Sequence, residues 1–504
     1  MNVFLLSPDQ DFDLTQKLPD NASILIQDLE LDTLFESMAQ GDRFLFDIAK
    51  PAVLFSLDST DAISYRQEIL KDCLKHPEVI RQIYHLPLQA IENKRRQWMG
   101  IFSHYPGAIL RGSREMLQMF IGLLKELRII ADEHAEAFTS RGFIQFFAMI
   151  RRELDDDYFS VVQRLLKELQ FQHGILLSAE LGQGNEGCHT TLRKPNSPGG
   201  TWLTRVLTRK TPTYSFTLHP RDNAGARALS ELRDRGLNSV ADKVAQSADH
   251  IDNFFKTLRQ ELAFYLGCLN VHQELSQLQE PIAFPQPVTT RERLHSFAGL
   301  YDVTLALTLK QGVVGNNVNA DNKNLILITG ANQGGKTTFL RSIGLAQLMM
   351  QCGMFVAAES FSANLCRGLF THFKREEDAS MKSGKLDEEL ARMDTIVGEL
   401  EPDTLVLFNE SFAATNEREG SEIARQIVTA LLEQRIKVFF VTHLYKFAGD
   451  YFAQKLDHSL FLRATRTASG ERTYQLQIRA PLPTSYGLDL YHSVFDAGKP
   501  PSHP

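Results

Sequence analysis

The sequence predicts an α-helical half followed by an α/β half. In the first half, apolar residues recur every three or four positions over residues 62–172 and again over residues 239–278, which is typical of helices that bury one face. In the second half, short apolar runs typical of buried strands alternate with helical patterns. We therefore expect a helical domain over residues 59–280 and an α/β domain over residues 281–504, preceded by an N-terminal segment, residues 1–58, whose structure the pattern does not assign.

Two features divide the helical half. Between residues 181 and 221 the helical period gives way to Gly, Asn, Pro, Ser and Thr, which predicts an extended or looped excursion. A second helical stretch then starts with Asp222 or Asn223 as its cap, and Gly236 is expected to interrupt it. A capping-box pattern follows, so residues 239–278 should form a separate helical rod of roughly 60 Å.

Composition and charge leave nucleic-acid binding open. A chain of 504 residues fits roughly two to four domains. Lys and Arg total 54 against 61 Asp and Glu, a net charge of −7, so contact with DNA would need a local basic patch. Residues 187–221 offer such a patch, because they contain no acidic residue and six basic ones: Arg193, Lys194, Arg205, Arg209, Lys210 and Arg221.

The cysteines and the N-terminus bear on the compartment. The five cysteines are scattered and never form a C-x-x-C pair, which fits a reducing compartment without a zinc site, and we expect all five to be packing residues. The N-terminus has no early positive charge and only a four-residue apolar run, unlike a signal peptide. No uncharged apolar run reaches the 18 residues of a membrane span. We therefore expect a cytoplasmic protein.

The most informative motif is a phosphate-binding loop. Residues 325–338 read LILITGANQGGKTT, a strand run followed by the P-loop spacing G-x-x-x-x-G-K-T, and a helical pattern follows. Glycines let backbone N–H groups surround phosphates at the positive end of that helix. A tight turn without a ligand is the alternative interpretation. The residues expected to bind ATP are Gly330, Ala331, Asn332, Gln333, Gly334, Gly335, Lys336, Thr337 and Thr338.

A second strand run is expected to complete the site. Lys336 would reach the β and γ phosphates, and the Thr337 hydroxyl would bind Mg²⁺. Residues 404–408 are largely apolar and end at Asn409 and Glu410. Asn409 stands where such sites usually have Asp, so it can hydrogen-bond a metal-bound water but brings no charge. Glu410 would polarise the attacking water.

Two further sequence features are weaker. The apolar run 438–442 ends at His443, and the carboxyl ends of parallel strands lie beside the ligand. A histidine there can hydrogen-bond the γ-phosphate, although a structural role is the alternative. Residues 376–390 read as a polar turn that opens a helix, where Ser383 would face an anion or simply cap the helix.

These motifs, in this order, resemble the ATPase half of the MutS family of DNA mismatch-repair ATPases. The matching segments are Ile328–Thr337, Gly353–Ala358, Ala379–Glu388, Leu407–Glu410, Thr442–His443 and Ser485–Leu488. The helical half resembles the family's core and lever, with residues 65–70 similar to its opening helix. The resemblance implies an α-helical core/lever domain with a clamp-like excursion at about 181–221, followed by an α/β P-loop NTPase domain of the ABC-type MutS architecture.

The resemblance also implies partners and roles. Two subunits would form a homodimer that sandwiches ATP and Mg²⁺, with Ser383 of one subunit reaching the γ-phosphate held by the other. Glu410 and His443 would act in catalysis, and Thr337 and Asn409 would hold the metal. The excursion would contact double-stranded DNA through backbone or shape, with Arg193, Lys194, Arg205, Arg209 and Lys210 as candidate contacts.

The sequence departs from the longer MutS members. Mismatch-recognising members begin with a domain that carries Phe-x-Glu, and here the only Phe-x-Glu is residues 408–410, which belong to the ATPase motif. Core-like sequence begins within the first sixty residues, so the connector domain is not expected. Sixteen residues follow Leu488, too few for a helical dimerisation tail. We therefore expect a short MutS-like protein.

Three functions follow as hypotheses. The first is a dimeric MutS-like ATPase that binds DNA, with a place in repair or recombination, where Asn409 bears on the hydrolysis rate. The second is an ATP-binding switch or adaptor in which Asn409 has nearly abolished hydrolysis. The third is a P-loop ATPase that acts on a protein partner without DNA, which the net acidity favours and the basic stretch disfavours.

Overall fold

The structure, a computed structural model, describes residues 1–98, 105–172, 174–185, 187–194, 214–331, 333–375, 384–467 and 471–482. The helices of these residues are α1 (Ala22–Asp28), α2 (Leu31–Ala39), α3 (Arg43–Leu54), α4 (Thr60–Lys75), α5 (Pro77–Trp98), α6 (Pro106–His134), α7 (Arg141–Glu153), α8 (Asp156–Glu168), α9 (Asn223–Gln277), α10 (Val303–Leu309), α11 (Lys336–Gln351), α12 (Lys385–Glu399), α13 (Glu417–Glu433) and α14 (Tyr445–Gln454). The strands are β1 (Leu176–Leu181), β2 (Gly187–Arg193), β3 (Gln286–Val288), β4 (His295–Leu300), β5 (Asn316–Asn319), β6 (Leu325–Gly330), β7 (Ser360–Asn364), β8 (Leu369–Phe373), β9 (Leu405–Asn409), β10 (Lys437–Val441), β11 (Ser459–Arg466) and β12 (Arg472–Ile478).

Packing divides the chain into two units. The first consists of Met1–Val3, Glu78–Phe138 and Phe143–Arg259, and the second of Phe4–Pro77, Thr139–Gly142 and Gln260–Pro504. The predicted helical half and α/β half are both confirmed. The predicted domain limits at residues 58 and 280 follow sequence pattern rather than packing, and they stay a prediction. No helix in the described ranges is long and apolar enough to cross a membrane.

Side-chain caps fix where several helices begin. The side chains of Asp42, Ser59, Asp155, Asp302 and Asn416 each accept a hydrogen bond from a backbone N–H of the first turn of α3, α4, α8, α10 and α13. The first turn of a helix has no intrahelical acceptor for these N–H groups, so each cap contributes about 1 kcal/mol.

The first unit is built from α5 to α8, the β1–β2 hairpin and residues 223–259 of α9. Phe138, Phe143 and Phe147 form an aromatic cluster with ring centroids 4.6 to 5.7 Å apart. Phe120 of α6 packs against Phe255 of α9 at 5.7 Å. These apolar contacts account for the three- and four-residue periodicity that predicted the helices.

Helix α9 is continuous over 55 residues, or roughly 80 Å, and the expected interruption at Gly236 is wrong. A side chain at residue 236 would overlap Leu177 of β1, so the glycine provides space for the hairpin rather than a break. The capping-box pattern at Ser239 therefore lies inside the helix. A single glycine lowers helix stability by only about 1 kcal/mol relative to alanine. The burial of nearby α9 residues such as Leu237 and Ala241 offsets this cost.

The β1–β2 hairpin contains the one cysteine that does not pack in a core. Cys73, Cys268, Cys352 and Cys366 are buried, as expected, but Cys188 of β2 is half-buried, and its thiol contacts the carbonyl oxygen of Glu180 at 3.4 Å. A two-stranded hairpin has only one packed face, so its residues gain little burial. The prediction that all five cysteines are packing residues is wrong at this position.

The second unit contains a six-stranded sheet in the order β12-β11-β6-β10-β9-β8. The strands from β11 to β8 are parallel, and β12 pairs with β11 in antiparallel fashion. The four central residues of β6 and all residues of β10 are buried, which explains their continuous apolar sequences. In the core of this sheet Phe408 stacks on Phe440, and Phe447 packs against Phe440 with its ring tilted by 53°.

A smaller sheet in the order β3-β7-β4-β5 belongs to the same unit. Strands β4, β5 and β7 are antiparallel, and β3 is parallel to β7. The N-terminal segment that sequence pattern left unassigned forms helices α1 to α3. Leu29, which follows α1, packs so closely against Gly344 of α11 that a Cβ on Gly344 would lie 2.8 Å from the Leu29 side chain. Short helices without a long apolar period carry little signal, which is why the pattern does not assign this segment.

A buried carboxylate anchors the first residues of this unit. Glu261 of α9 accepts hydrogen bonds from the backbone N–H groups of Leu5 (2.5 Å), Leu6 (3.2 Å) and Phe12 (2.9 Å). The Arg66 guanidinium donates to the carbonyl oxygen of Leu6 at 2.7 Å. Burial raises the pKa of Glu261 to about 7, although the three hydrogen bonds partly oppose this shift.

We predict that Glu261 makes folding stability fall as pH rises toward neutrality. The folded carboxyl has a pKa of about 7 and so holds a proton that the unfolded carboxyl has already released above its ordinary value of 4.5. The stabilisation is complete below pH 4.5 and is lost through pH 7, with a slope of at most about 1.4 kcal/mol per pH unit.

Denaturant unfolding between pH 5 and pH 8 would measure this slope. Glu261→Gln should show a flatter profile than the wild type, and Glu399→Gln, at an exposed site of α12, should keep the wild-type slope. Equal slopes for all three proteins would contradict the assignment.

Candidate nucleotide site

The candidate site lies at the carboxyl ends of the parallel strands. Strand β6 leads into the loop 331–335, and α11 begins at Lys336 with Gly335 as its N-cap. A cavity of about 960 Å³ lies at this edge of the sheet. Its lining includes Gly330, Gln333, Gly334, Gly335, Lys336, Thr337, Thr338, Glu410, Thr442 and His443. The fold therefore places most of the predicted nucleotide residues around one cavity.

The loop backbone requires its glycines. Gly330 and Gly335 have φ angles of 113° and 85°, in the left-handed region that favours glycine. A Cβ on Gly330 would also lie 2.9 Å from the backbone nitrogen of Ala464 in β11, and one on Gly334 would lie 2.9 Å from the Ala464 side chain. The loop thus passes closely over β11. Of the predicted loop residues, Asn332 lies outside the described residues.

Lys336 places a positive charge inside the loop. Its Nζ donates to the carbonyl oxygens of Gly330 at 3.0 Å and Ala331 at 2.8 Å, and the residue is only 5% exposed. Burial lowers the pKa of Lys336, and the nearby Glu410 carboxylate opposes that shift. The ammonium group is therefore held against the loop that would surround phosphates.

A direct hydrogen bond joins the P-loop helix to β9. The Thr337 hydroxyl donates to Asn409 Oδ1 at 3.0 Å, and the backbone oxygen of Asn409 accepts from the Lys374 N–H at 2.9 Å. A hydroxyl oxygen and an amide oxygen so close together fit the oxygen shell that Mg²⁺ prefers, completed by water and phosphate. These two residues fit a metal, but Asn409 would contribute no charge to it.

Glu410 and His443 come together from two strands. Glu410 follows β9 and is fixed by its N–H, which donates to the Val441 oxygen at 2.8 Å. His443 follows β10, and its Nδ1 lies 4.0 Å from Glu410 Oε2. Both side chains are partly exposed at the cavity. A carboxylate that can polarise water and an imidazole that can hydrogen-bond phosphate therefore face the same space.

Sequence reasoning missed several cavity residues. Lys374 at the end of β8 adds a second cation, and the rule that parallel strand ends converge could have found it. Tyr474 of β12 also lines the cavity, and a Cβ on Gly335 would lie 3.5 Å from its side chain, which no motif indicated. Six apolar residues also line the cavity, and we call them together the apolar wall: Leu300, Leu305, Leu309, Val313, Val314 and Leu482.

Other predicted residues lie outside the described residues or in the first unit. Ser383 lies outside the described residues, and Gly384 is the N-cap of α12. Arg205, Arg209 and Lys210 also lie outside them. In the first unit, Arg193 donates to the Ser178 hydroxyl at 2.8 Å, and Lys194 pairs with Glu168 at 3.0 Å. Part of the Lys194 charge is therefore compensated by an acidic residue distant in sequence.

Comparisons with known proteins match both halves of the chain. A family model described as the MutS2 N-terminal domain matches residues 58–278, and one described as MutS domain V matches residues 326–495. The second match contains the P-loop, Asn409, Glu410 and His443.

Curated relatives include two kinds of protein. The DNA mismatch repair protein MutS of Thermus aquaticus is 29% identical over 231 residues, which cover 46% of this chain and 28% of the relative. Endonuclease MutS2 of Thermus thermophilus is 31% identical over 224 residues, 44% of this chain and 28% of the relative. The DNA mismatch repair protein MutS of Thermotoga maritima is 32% identical over 221 residues, which cover 44% of this chain and 27% of the relative. The chain thus spans less than a third of the length of these relatives.

The two family models match successive parts of the chain and together include the helical half and the nucleotide cavity. The similar curated proteins are likewise named MutS and MutS2. The chain therefore belongs to the MutS family.

Proposed function

We propose that this protein binds and hydrolyses ATP with Mg²⁺, acts as a dimer, and couples the nucleotide to DNA binding. The observation that carries the proposal is that Lys336, Thr337, Glu410 and His443 line one cavity, with Asn409 hydrogen-bonded to Thr337. Few other functions require an ammonium group, a metal-ligand pair and a carboxylate beside a glycine loop at a helix N-terminus.

The residues have separate roles in the proposed reaction. The loop N–H groups and Lys336 bind the β and γ phosphates, and the apolar wall takes the base. Mg²⁺, held by Thr337 and through water by Asn409, would neutralise phosphate charge. Glu410 orients the attacking water and accepts its proton as the water oxygen bonds to the γ-phosphorus and the bond from that phosphorus to the β–γ bridging oxygen breaks, which releases ADP and inorganic phosphate. His443 hydrogen-bonds the γ-phosphate.

A nucleotide switch with little hydrolysis is the second candidate, and Asn409 favours it. A carboxylate in this position would add a full negative charge toward the metal, and an amide adds only a dipole. With the amide of Asn409 in this position, the protein would bind Mg²⁺ more weakly and hydrolyse ATP slowly. Measuring the ATP hydrolysis rate of the Asn409→Asp variant distinguishes the two functions. The rate should rise above that of the wild type if the missing charge limits hydrolysis, as the switch function requires.

DNA binding and dimer formation rest on family membership and on the basic stretch. Relatives are named DNA mismatch repair protein and endonuclease, and domains of both kinds match here. Arg193 and Lys194 end the β1–β2 hairpin with exposed charges. An ATPase acting on a protein partner without DNA is the alternative, and the net charge of −7 favours it.

We predict that Lys336→Ala weakens ATP binding. The change removes a charge-assisted contact with phosphate, so the dissociation constant should rise about ten- to a hundredfold. Calorimetric titration with a non-hydrolysable ATP analogue measures it. Lys75→Ala, at an exposed position of α4, is the matched control and should bind like the wild type. An unchanged dissociation constant for Lys336→Ala would remove the P-loop from the mechanism.

Glu410→Gln should leave ATP binding intact and slow hydrolysis by about a hundredfold or more, because an amide cannot accept the proton of the attacking water. Single-turnover phosphate release measures the rate, with the exposed Glu433→Gln as control. The variant should also sediment as an ATP-bound dimer. If wild type and Glu410→Gln release phosphate equally slowly, the switch function replaces the ATPase.

Neutralising the basic stretch should weaken DNA binding and flatten its salt dependence. Removing one phosphate-binding charge lowers the slope of log K against log salt by about one, and the Lys194–Glu168 pair makes the contribution of Lys194 smaller. Fluorescence anisotropy at several salt concentrations measures the change for the substitutions of Arg193, Lys194, Arg205, Arg209 and Lys210 to Gln. The control carries five substitutions at exposed residues of the second unit: Lys17, Arg43, Lys75, Arg367 and Lys455. Equal slopes for both variants would place the DNA-binding surface elsewhere.

A further inference from the structure

A buried polar cluster lies directly behind Glu410. Its members are His372 of β8, Ser411, which follows Glu410, and Glu389 of α12, and each is at most 2% exposed. Burying polar groups costs free energy unless they are hydrogen-bonded, so a buried polar cluster is stable only in an arrangement that makes its hydrogen bonds. None of the three residues belongs to the predicted nucleotide motifs.

The cluster connects three elements by hydrogen bonds. His372 Nδ1 lies 2.7 Å from the Ser411 hydroxyl oxygen, and His372 Nε2 lies 3.0 Å from the backbone oxygen of Glu389. The Glu389 carboxylate accepts from the Phe412 N–H at 2.7 Å. Strand β8, the segment after β9 and helix α12 are therefore held together around Ser411.

The protonation state of His372 sets the direction of these bonds. Burial lowers the pKa of His372 to about 4, so the ring is neutral near pH 7. A backbone oxygen can only accept, so Nε2 carries the ring proton and Nδ1 accepts from the Ser411 hydroxyl. The same hydroxyl lies 2.6 Å from the backbone oxygen of His372, so both acceptors on residue 372 share one proton. Ser411 is thereby fixed on β8.

The backbone around Ser411 is strained. Glu410 and Phe412 have φ angles of 52° and 63°, in the left-handed region that non-glycine residues rarely adopt. Each such residue costs about 1 kcal/mol or more and persists only where its surroundings impose it. The Phe412 ring stacks on His372 at 5.2 Å, and Gly420 of α13 leaves space for the Phe412 backbone oxygen. Hydrogen bonds from the cluster thus hold Ser411 and Phe412, two residues of this strained turn.

Helix α12 is hydrogen-bonded both to this turn and to β8. Glu389 lies in the second turn of α12, which begins after Gly384. Arg392 of the same helix donates twice to the Phe373 backbone oxygen at 3.1 Å, so α12 is also bound to β8. A shift at the start of α12 would move Glu389, then Phe412, and with it the backbone that aims Glu410 into the cavity.

We propose that His372, Ser411 and Glu389 are positioning residues that hold Glu410 in its reactive orientation and couple that orientation to α12. This inference rests on the proposed ATP hydrolysis at Glu410. The three side chains act through the backbone of residues 410–412 and do not touch the nucleotide cavity themselves. Hydrolysis therefore depends on the cluster, and nucleotide binding does not.

The test is a double-mutant cycle between Ser411→Ala and Glu410→Gln. Ser411→Ala removes one hydroxyl and should lower single-turnover hydrolysis at least about tenfold, with an unchanged dissociation constant for an ATP analogue, since small misplacements of a reacting group cost rate. In the Glu410→Gln background the same change should have almost no further effect, because the group it positions is gone.

Substitutions at Glu389 provide a second test of the same link. Glu389→Ala should slow hydrolysis as Ser411→Ala does, and Glu389→Gln should restore it, because an amide oxygen can still accept from the Phe412 N–H. Asp394→Ala, at an exposed position of α12, is the matched control and should be unaffected. If Glu389→Ala unfolds, as thermal melting would show, the Ser411→Ala cycle decides alone.

Two outcomes separate the inference from the function on which it rests. Hydrolysis that is abolished in Glu410→Gln but unchanged in Ser411→Ala and Glu389→Ala would overturn the positioning role and leave the ATPase standing. An additive cycle, in which Ser411→Ala slows both backgrounds equally, would show a general structural effect and also overturn it. A wild-type protein without hydrolysis would overturn both proposals.

Discussion

The register of three parallel strands determines how the site is assembled. In β6, β10 and β9, Ile328 pairs with Val441 and Val441 pairs with Asn409, so these three residues lie in one row near the carboxyl ends of the strands. Strand β6 continues for two residues beyond this row to Gly330, where the P-loop begins, while Glu410 directly follows β9 and His443 lies two residues after the end of β10. A shift of one residue in any pair would turn its functional side chain to the opposite face of the sheet. Backbone hydrogen bonds therefore fix the distances that the chemistry needs.

The electrostatic character of the site follows from one amide. Lys336 and Lys374 bring positive charge to the cavity, Glu410 brings negative charge, and Asn409 brings none where a carboxylate would oppose a metal cation. In the proposed function this balance would attract phosphates, and a divalent metal would be held less firmly than beside a carboxylate. The Thr337–Asn409 hydrogen bond brings a hydroxyl oxygen and an amide oxygen together without adding charge. On this proposal the protein can bind ATP tightly and still hydrolyse it slowly.

The sequence predicted the parts that depend on local pattern. Helices with long apolar periods, the buried strands and the glycine loop each produce their own signal. Asn409, Glu410 and His443 stand at or just after strand ends, and the fold brings them beside the loop that leads to Lys336. Contacts made by tertiary packing carry no such signal. The burial of Glu261 by the N-terminal segment, the passage of α9 through Gly236, and the cluster of His372, Ser411 and Glu389 each join residues far apart in sequence. Their chemistry is visible only once the chain is folded.

Release of inorganic phosphate from ATP by the wild-type protein tests the central claim most directly. The account predicts steady phosphate release in the presence of Mg²⁺ and its loss when the metal is chelated, because the reaction needs both the metal held beside Thr337 and Asn409 and the carboxylate of Glu410. Calorimetry on the same sample should show that ATP binds. Bound ATP that remains intact for hours with Mg²⁺ present would contradict the account.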